Sequence, residues 1–487
     1  MRPNPILPDL PAFLLKMIVS LTCAMCAVGC APQTATSGTA PAVARPAVTP
    51  HRSPQNPKKS PPAHCSFHVN APERAPFVVE VRARCDGRET TGFVSDVSEL
   101  EAFVTREKPK TRTPDSFELV YRVDLDAMAR KFDSFDLAAR FGGSLVAGAS
   151  SFLFTPVPAT DGVPVTVTFG EPNGFATGLR RGSSGYTIES HELRVATYTT
   201  FGAREVRRLE APGATLRMAL LDGKLALGAD RMARWVETGF RAVTTFYEQA
   251  PDREVLVVIA PVPNEQGVKF GRLLPESAPG IVMLVGENTT ERDLLDDWML
   301  VHELFHVGTP SYGAKSGWFD EGLATYFEPL IRARAGLYEE KKLWREFASE
   351  MPRGLEAFTH IGLASGKSRD DIYWGGGLFC LLADVEARKR TNGERGLEDG
   401  LRAVLREGGN SSEVWGLEET FAAIDRGIGA PVLAELAERH VAKGTPVDLP
   451  RLFLELGVAG APKGGLRLDE KAPLAAVRRA LVSGRAR

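Results

Sequence analysis

The chain has no surplus of either charge. Its 59 basic and 61 acidic residues nearly cancel. No cationic excess therefore points to nucleic acid, and no acidic run points to a solvating tail. No internal repeat is evident. The apolar run near the start, "MIVSLTCAMCAVG" (17–29), is too short to span a bilayer stably. Cysteine and histidine are scarce, six and eight in 487 residues, so the place of each one carries information.

The cysteines sort by position. Arg2 and Lys16 precede the apolar run, which has the length of a signal-peptide hydrophobic region and contains Cys23 and Cys26. It ends in "AVGC" (27–30), which resembles a bacterial lipobox with Cys30 as the lipid acceptor, although Ala27 stands where a branched aliphatic is usual. An ordinary secretory signal cleaved nearby is the alternative. Lipidation would anchor the protein to the cell envelope, since several acyl chains together hold a membrane stably. Cys65 and Cys85 fall in the first globular segment. In an oxidising compartment they are expected to pair, with two free thiols as the alternative. Cys380, in "GLFCLLADV", reads as a small buried apolar residue.

What is present is ordinary globular material, 43% hydrophobic and 25% charged, enough for two or three domains. Residues 31–63 are rich in Pro, Ala, Ser and Thr and read as a disordered tether. Residues 64–210 carry short alternating apolar runs at 76–85, 116–125, 163–170, 185–193 and 194–202, separated by Gly, Pro and Asp. This predicts a β-sandwich-like domain, with a helical insert near 124–143. The period then changes. Met232, Trp235, Val236, Phe240, Val243 and Phe246 recur at helical spacing, "EVLVVIAPV" (254–262) and "GIVMLVG" (280–286) read as buried strands, and 294–460 reads as nearly all helix. The expected fold is multidomain α+β.

Within "LLDDWMLVHELFHVGTPSYGAKSGWFDEGLATYFEPL", His302 and His306 stand four residues apart. On a helix both imidazoles share a face and can chelate one ion, with Glu303 in reach of a water on it. Thr289 or Thr290 is expected to cap this helix and Gly308 and Pro310 to end it. With eight histidines, His-Glu-x-x-His arises by chance with a probability on the order of 1%. A catalytic zinc needs a third protein ligand, and Glu321, in a second amphipathic segment, offers a carboxylate. Gly322 and Ala324 are small enough to let that segment approach the first helix. Asp320 and Glu328 read as solvated charges, or else as groups orienting a ligand histidine. Trp318 reads as core.

His-Glu-x-x-His followed by Trp-x-x-Glu-Gly-x-x-x-Tyr resembles the gluzincin zinc peptidases, the relatives of thermolysin and aminopeptidase N, and within them the glycyl aminopeptidase family. "LVYRVDL" (119–125), "FLFTPVP" with the following "VPVTVTFGEPNGF", and "DIYWGGGLFCLLADVEARKRTNGERGLEDGLRAVLREGG" (371–409) extend the resemblance over roughly Cys65 to Val458. The resemblance implies that His302, His306 and Glu321 hold one zinc ion per chain, that Glu303 is the general base, and that the Tyr373 phenol supports the oxyanion. It implies a thermolysin-like catalytic domain at 211–370 and a helical domain at 371–487. The implied activity is aminopeptidase-like hydrolysis of peptide or protein substrates. A non-catalytic envelope lipoprotein and a different zinc hydrolase are the alternatives.

The sequence departs from the family pattern in several places. The His306–Glu321 gap is short. Gly375 stands where a basic residue often follows the tyrosine. The Gly-Ala-Met-Glu-Asn motif is only partly echoed by "MLVGEN" (283–288), and the residues after Val458 are expected to be too few for the PDZ domain common in the family. Glu265 and Glu287 are candidates, by position only, to bind a substrate amino terminus.

Overall fold

The computed structural model describes residues 63–484 apart from 160, 275–277, 314–315 and 461–464. The signal, the Cys30 lipid site and the tether therefore lie outside the described residues, except for Ala63. Among the described residues no helix is long and apolar enough to cross a membrane. The chain is α+β, with sheets in its first half and helices filling its carboxyl-terminal part.

The amino-terminal part carries an eight-stranded and a four-stranded sheet that share one apolar core. In the larger sheet, strand Val78–Asp86 pairs antiparallel with Ser116–Asp124, and alternate residues Val79, Val81, Ala83 and Cys85 turn inward. Cys65 and Cys85 are cross-strand partners and form a disulfide, as expected of them. The helical insert expected over 124–143 is shorter than the apolar spacing suggests. Asp124 caps a helix at Leu125–Phe132, Asp133 ends it in the left-handed conformation, and the rest becomes a hairpin, Ala138–Phe141 with Ser144–Gly148.

The second half begins with a five-stranded sheet. In spatial order its strands are Glu205–Ala211, Ala214–Leu220, Glu254–Val262, Gly280–Gly286 and Val268–Leu274. The run "EVLVVIAPV" is apolar throughout because both faces of its strand are covered. Val255, Val257 and Ile259 pack on helices, whereas Leu256, Val258 and Ala260 pack against Phe135, Phe141, Val146 and Tyr198 of the amino-terminal part. The last strand, Val268–Leu274, lies antiparallel at the edge. Its residues are mostly half-exposed, and "VKFGRLL" gives no clear alternation, so the sequence did not mark it.

On the helical side, Gly228–Tyr247 buries the predicted stripe from Met232 to Phe246. One continuous apolar core runs from Leu209 to Leu481, taking in residues on both sides of position 370.

Candidate active site

The His-Glu-x-x-His segment is not one helix from Thr290 onward. Thr290 caps a separate short helix, Glu291–Asp296, through a reciprocal pair with Asp293. The chain then breaks, and a second helix, Met299–His306, carries the histidines. Its start is held by Asp297, which accepts from the amides of Met299 (3.1 Å) and Leu300 (3.2 Å). Burial pushes the Asp297 carboxyl up to about 6 against the pull of those amides. The histidine helix stops at Gly308 as expected; a Cβ there would lie 2.4 Å from the Tyr247 ring. The described part of the short loop leads into a longer glutamate helix, Gly317–Arg334.

Three nitrogen and oxygen atoms from the two helices converge. His302 Nε2 and His306 Nε2 are 3.3 Å apart, and Glu321 Oε2 lies 3.1 Å from the first and 3.7 Å from the second. A tetrahedral zinc with bonds of about 2.1 Å sets its ligands roughly 3.4 Å apart. Two imidazoles and a carboxylate whose donor atoms face one another at this spacing match such a ligand set, so the residues fit the ion. His302 is buried, and His306 and Glu321 are partly buried. On the far side, His306 Nδ1 meets Asp320 Oδ1 at 3.0 Å, which fixes the ring and leaves Nε2 for the ion. Asp320 is thus an orienting group and not a solvated charge. His302 Nδ1 is buried and has no hydrogen-bond partner among the described residues; its ring is held between Trp298 and Tyr373. Burial acts to raise Glu321, but hydrogen bonds and charge from the two histidines outweigh it and hold the carboxyl well below its usual range.

Glu303 turns the other way, toward the edge strand. Its Oε2 accepts the backbone N–H of Leu273 at 2.8 Å. Burial raises its carboxyl, while the imidazoles of His302 and His306 oppose the rise. A Cβ at Gly271 would stand 2.9 Å from Glu303 Cγ, so the strand can lie this close only because glycine is there.

Tyr373 is brought to the site by a wide π-helical turn, Asp371–Gly375, leading into helix Gly376–Arg390. Its ring stacks on His302, with centroids 6.2 Å apart and planes 12° apart. Burial, and then the Glu321 charge, push its phenol well above the ordinary range, so it is a donor. The glycines explain the approach. A Cβ on Gly322 would meet the Gly376 backbone at 2.5 Å, and one on Gly376 the Trp318 carbonyl at 1.8 Å. Gly322 therefore faces this later helix, not the histidine helix expected of it. With Gly375 leaving no base after the tyrosine, a guanidinium arrives from before it: Arg369 lies over the Tyr373 ring at 5.0 Å.

Other expectations resolve differently. Glu328 neither orients a histidine nor faces solvent; it is a buried partner of Arg332 at 2.9 Å. Glu265 pairs with Lys269, and Glu287 accepts from the Asn264 amide; neither lines the cavity beside the histidines. "MLVG" lies on Gly280–Gly286, one strand in from the edge. Trp318 and Cys380 are core, as expected.

No protein-family model matches the sequence, and no curated protein matches it. Among solved structures, the chain is similar to an aminopeptidase N family protein from Idiomarina loihiensis. The TM-score is 0.62 at 13% identity, over 81% of this chain and 78% of that one. An M1 zinc metallopeptidase from Deinococcus radiodurans matches at TM-score 0.44 and 14% identity, over 80% of this chain and 94% of that one. The first likeness shows the fold alone, which is similar to that of the aminopeptidase N family protein.

Proposed function

We propose that this chain is a zinc-dependent metallopeptidase, aminopeptidase-like, acting on peptide or protein substrates. The observation that carries it is the convergence of His302, His306 and Glu321 on one point, beside Glu303 and Tyr373. Zinc, when bound by those three residues, supplies Lewis acidity that polarises a carbonyl and acidifies water. Glu303, raised by burial and tethered through one oxygen, takes the water proton on the other and delivers it to the leaving nitrogen. Tyr373, kept protonated, donates to the oxyanion as charge develops there. The same reading gives the chain a β-sandwich-like domain at 64–210, a thermolysin-like domain at 211–370 and a helical domain at 371–487.

The test pairs zinc analysis with a panel of aminoacyl-amides and blocked peptides. The wild type is expected to bind one zinc per chain and turn substrate over. Glu303→Gln is expected to keep the zinc and lose turnover. A wild type without stoichiometric zinc, or without hydrolysis of any member of the panel, overturns the reading.

We also propose that the protein is exported and lipid-anchored at the cell envelope through Cys30. The "AVGC" pattern and the Cys65–Cys85 bridge, which suits an oxidising compartment, support this. Labelled fatty acid should enter the wild type and not Cys30→Ala. Equal labelling of both would refute the anchor.

A further inference from the structure

A cavity of about 330 Å³ shares His302 and Tyr373 with the candidate metal site and is walled in part by Trp298 and Trp374. One face of the glutamate helix runs down it. Glu321, Thr325 and Glu328 stand at i, i+4 and i+7, and the last two line the cavity. Seven residues of helix carry Glu328 about 10 Å along the axis from the candidate metal ligand. Glu346 and Glu350, one turn apart on helix Glu340–Glu350, line it from another side.

The charges in this recess do not balance. Arg353 is taken up by Glu350 (2.7 Å) and Asp370 (2.6 Å), and Arg369 lies over Tyr373. Behind the wall a single guanidinium, that of Arg332, serves three carboxyl groups. It binds Glu328 at 2.9 Å and acts by charge alone on Asp297 and Glu346. Among the described residues the Glu346 carboxylate otherwise accepts only from the Tyr338 hydroxyl, at 2.7 Å. Glu328 is only 4% exposed, so its ionised form has little water to support it. Burial pushes Glu328 up to about 8 and raises Glu346 as well. Burial is the first cause of both shifts, and the Arg332 charge opposes them.

We propose that this recess receives the side chain of a substrate lysine or arginine, whose cation meets Glu328 and Glu346. The inference rests on the peptidase reading and narrows its substrate class. Depth selects the side chain over the substrate's α-ammonium. An α-ammonium stays within a few bonds of the scissile carbonyl, whereas an extended lysine carries its charge about 6 Å beyond Cα. The tryptophan walls suit the apolar stem of such a side chain.

Binding is measured by calorimetry on the full zinc-loaded chain carrying Glu303→Gln, with arginine amide, lysine amide and citrulline amide. Citrulline keeps the shape and the α-ammonium of arginine but has no side-chain charge. Both cationic amides should bind at least about tenfold more tightly than citrulline amide, as expected where a built polar partner is otherwise left unpaired. Adding Glu346→Gln should shrink that ratio several-fold. Glu346 is half-buried and not paired to Arg332, so this variant keeps the test decisive if Glu328→Gln does not fold. Equal binding of arginine and citrulline amides overturns the proposal. In parallel turnover assays, hydrolysis of neutral amides with no preference for cationic ones overturns the recess alone. Cation-selective binding with no turnover of any amide supports the recess and overturns the peptidase reading.

Discussion

Asp320 shows what a single carboxylate does at the site. Its contact at 3.0 Å fixes the His306 ring from behind. Removing such an outer partner typically weakens metal binding 10–100-fold. Asp320→Ala should therefore lose zinc to a competing chelator at concentrations about 10–100-fold lower than the wild type does, with the far-ultraviolet circular dichroism unchanged. That His302 and His306 share a face was legible from their spacing, because helical geometry alone brings positions four apart together. The contact of Asp320 is not legible in the sequence, because it depends on the turn that starts the glutamate helix, and a charged residue beside a motif usually faces solvent. The Leu273 tether of Glu303 left no trace, since a backbone amide has no letter of its own.

At the scale of elements, the site depends on two helices touching through glycine. Gly322 and Gly376 let the glutamate helix and the helix after Tyr373 approach backbone to backbone. Gly322→Ala should cost about 1–3 kcal/mol of stability by overpacking. It should also lower kcat by up to about a hundredfold by shifting Tyr373. Denaturation midpoints and steady-state kinetics on the same sample check both. Helices with clear apolar stripes and strands buried on both faces were legible. The edge strand was not, because a half-exposed strand with glycine in it has no periodic signature. The cap expected at Thr289 or Thr290 falls at Thr290 but on a separate helix, since the sequence does not show the break at Asp297.

His440, at the end of helix Val432–His440, stacks on Phe358 with centroids 4.0 Å apart, and burial lowers its imidazole to about 4. Between its ordinary value near 6.5 and 4 the unfolded chain therefore binds a proton that the folded chain refuses. Stability from this group is present above pH 6.5 and is lost as pH falls toward 4. His440→Gln should flatten that part of the acid limb of a urea-midpoint profile.

Across the whole molecule, three regions distant in sequence meet at one arginine. Arg180, from the amino-terminal part, makes a two-pronged pair with the buried Asp252 (2.8 and 2.7 Å) and binds Ser412 of the helical part at 2.6 Å. Removing the cation leaves Asp252 buried with only neutral partners among the described residues, the Glu254 amide (3.1 Å) and the Asn410 side chain (3.3 Å). Arg180→Ala should cost about 3–5 kcal/mol, and the melting of the β-rich and helical parts should separate in calorimetry. Nothing in the local sequence announces such a junction, because its members are 72 and 232 positions apart. The order of the parts along the chain was legible from the change of hydrophobic period. That the central sheet is a layer shared between them showed only as apolar runs that read as buried strands, with no sign of what covers each face.

The amide of Leu273 has one consequence for how such a protein can change over time. Since Glu303 is held by main chain and not by a side chain, substitutions along the edge strand other than at Gly271 leave the tether intact so long as the strand itself survives. A saturation library at position 273 should accept other apolar residues for activity and reject proline, the one residue with no N–H to give. Gly271 apart, the strand's letters are free to drift while the carboxylate it holds stays where it is.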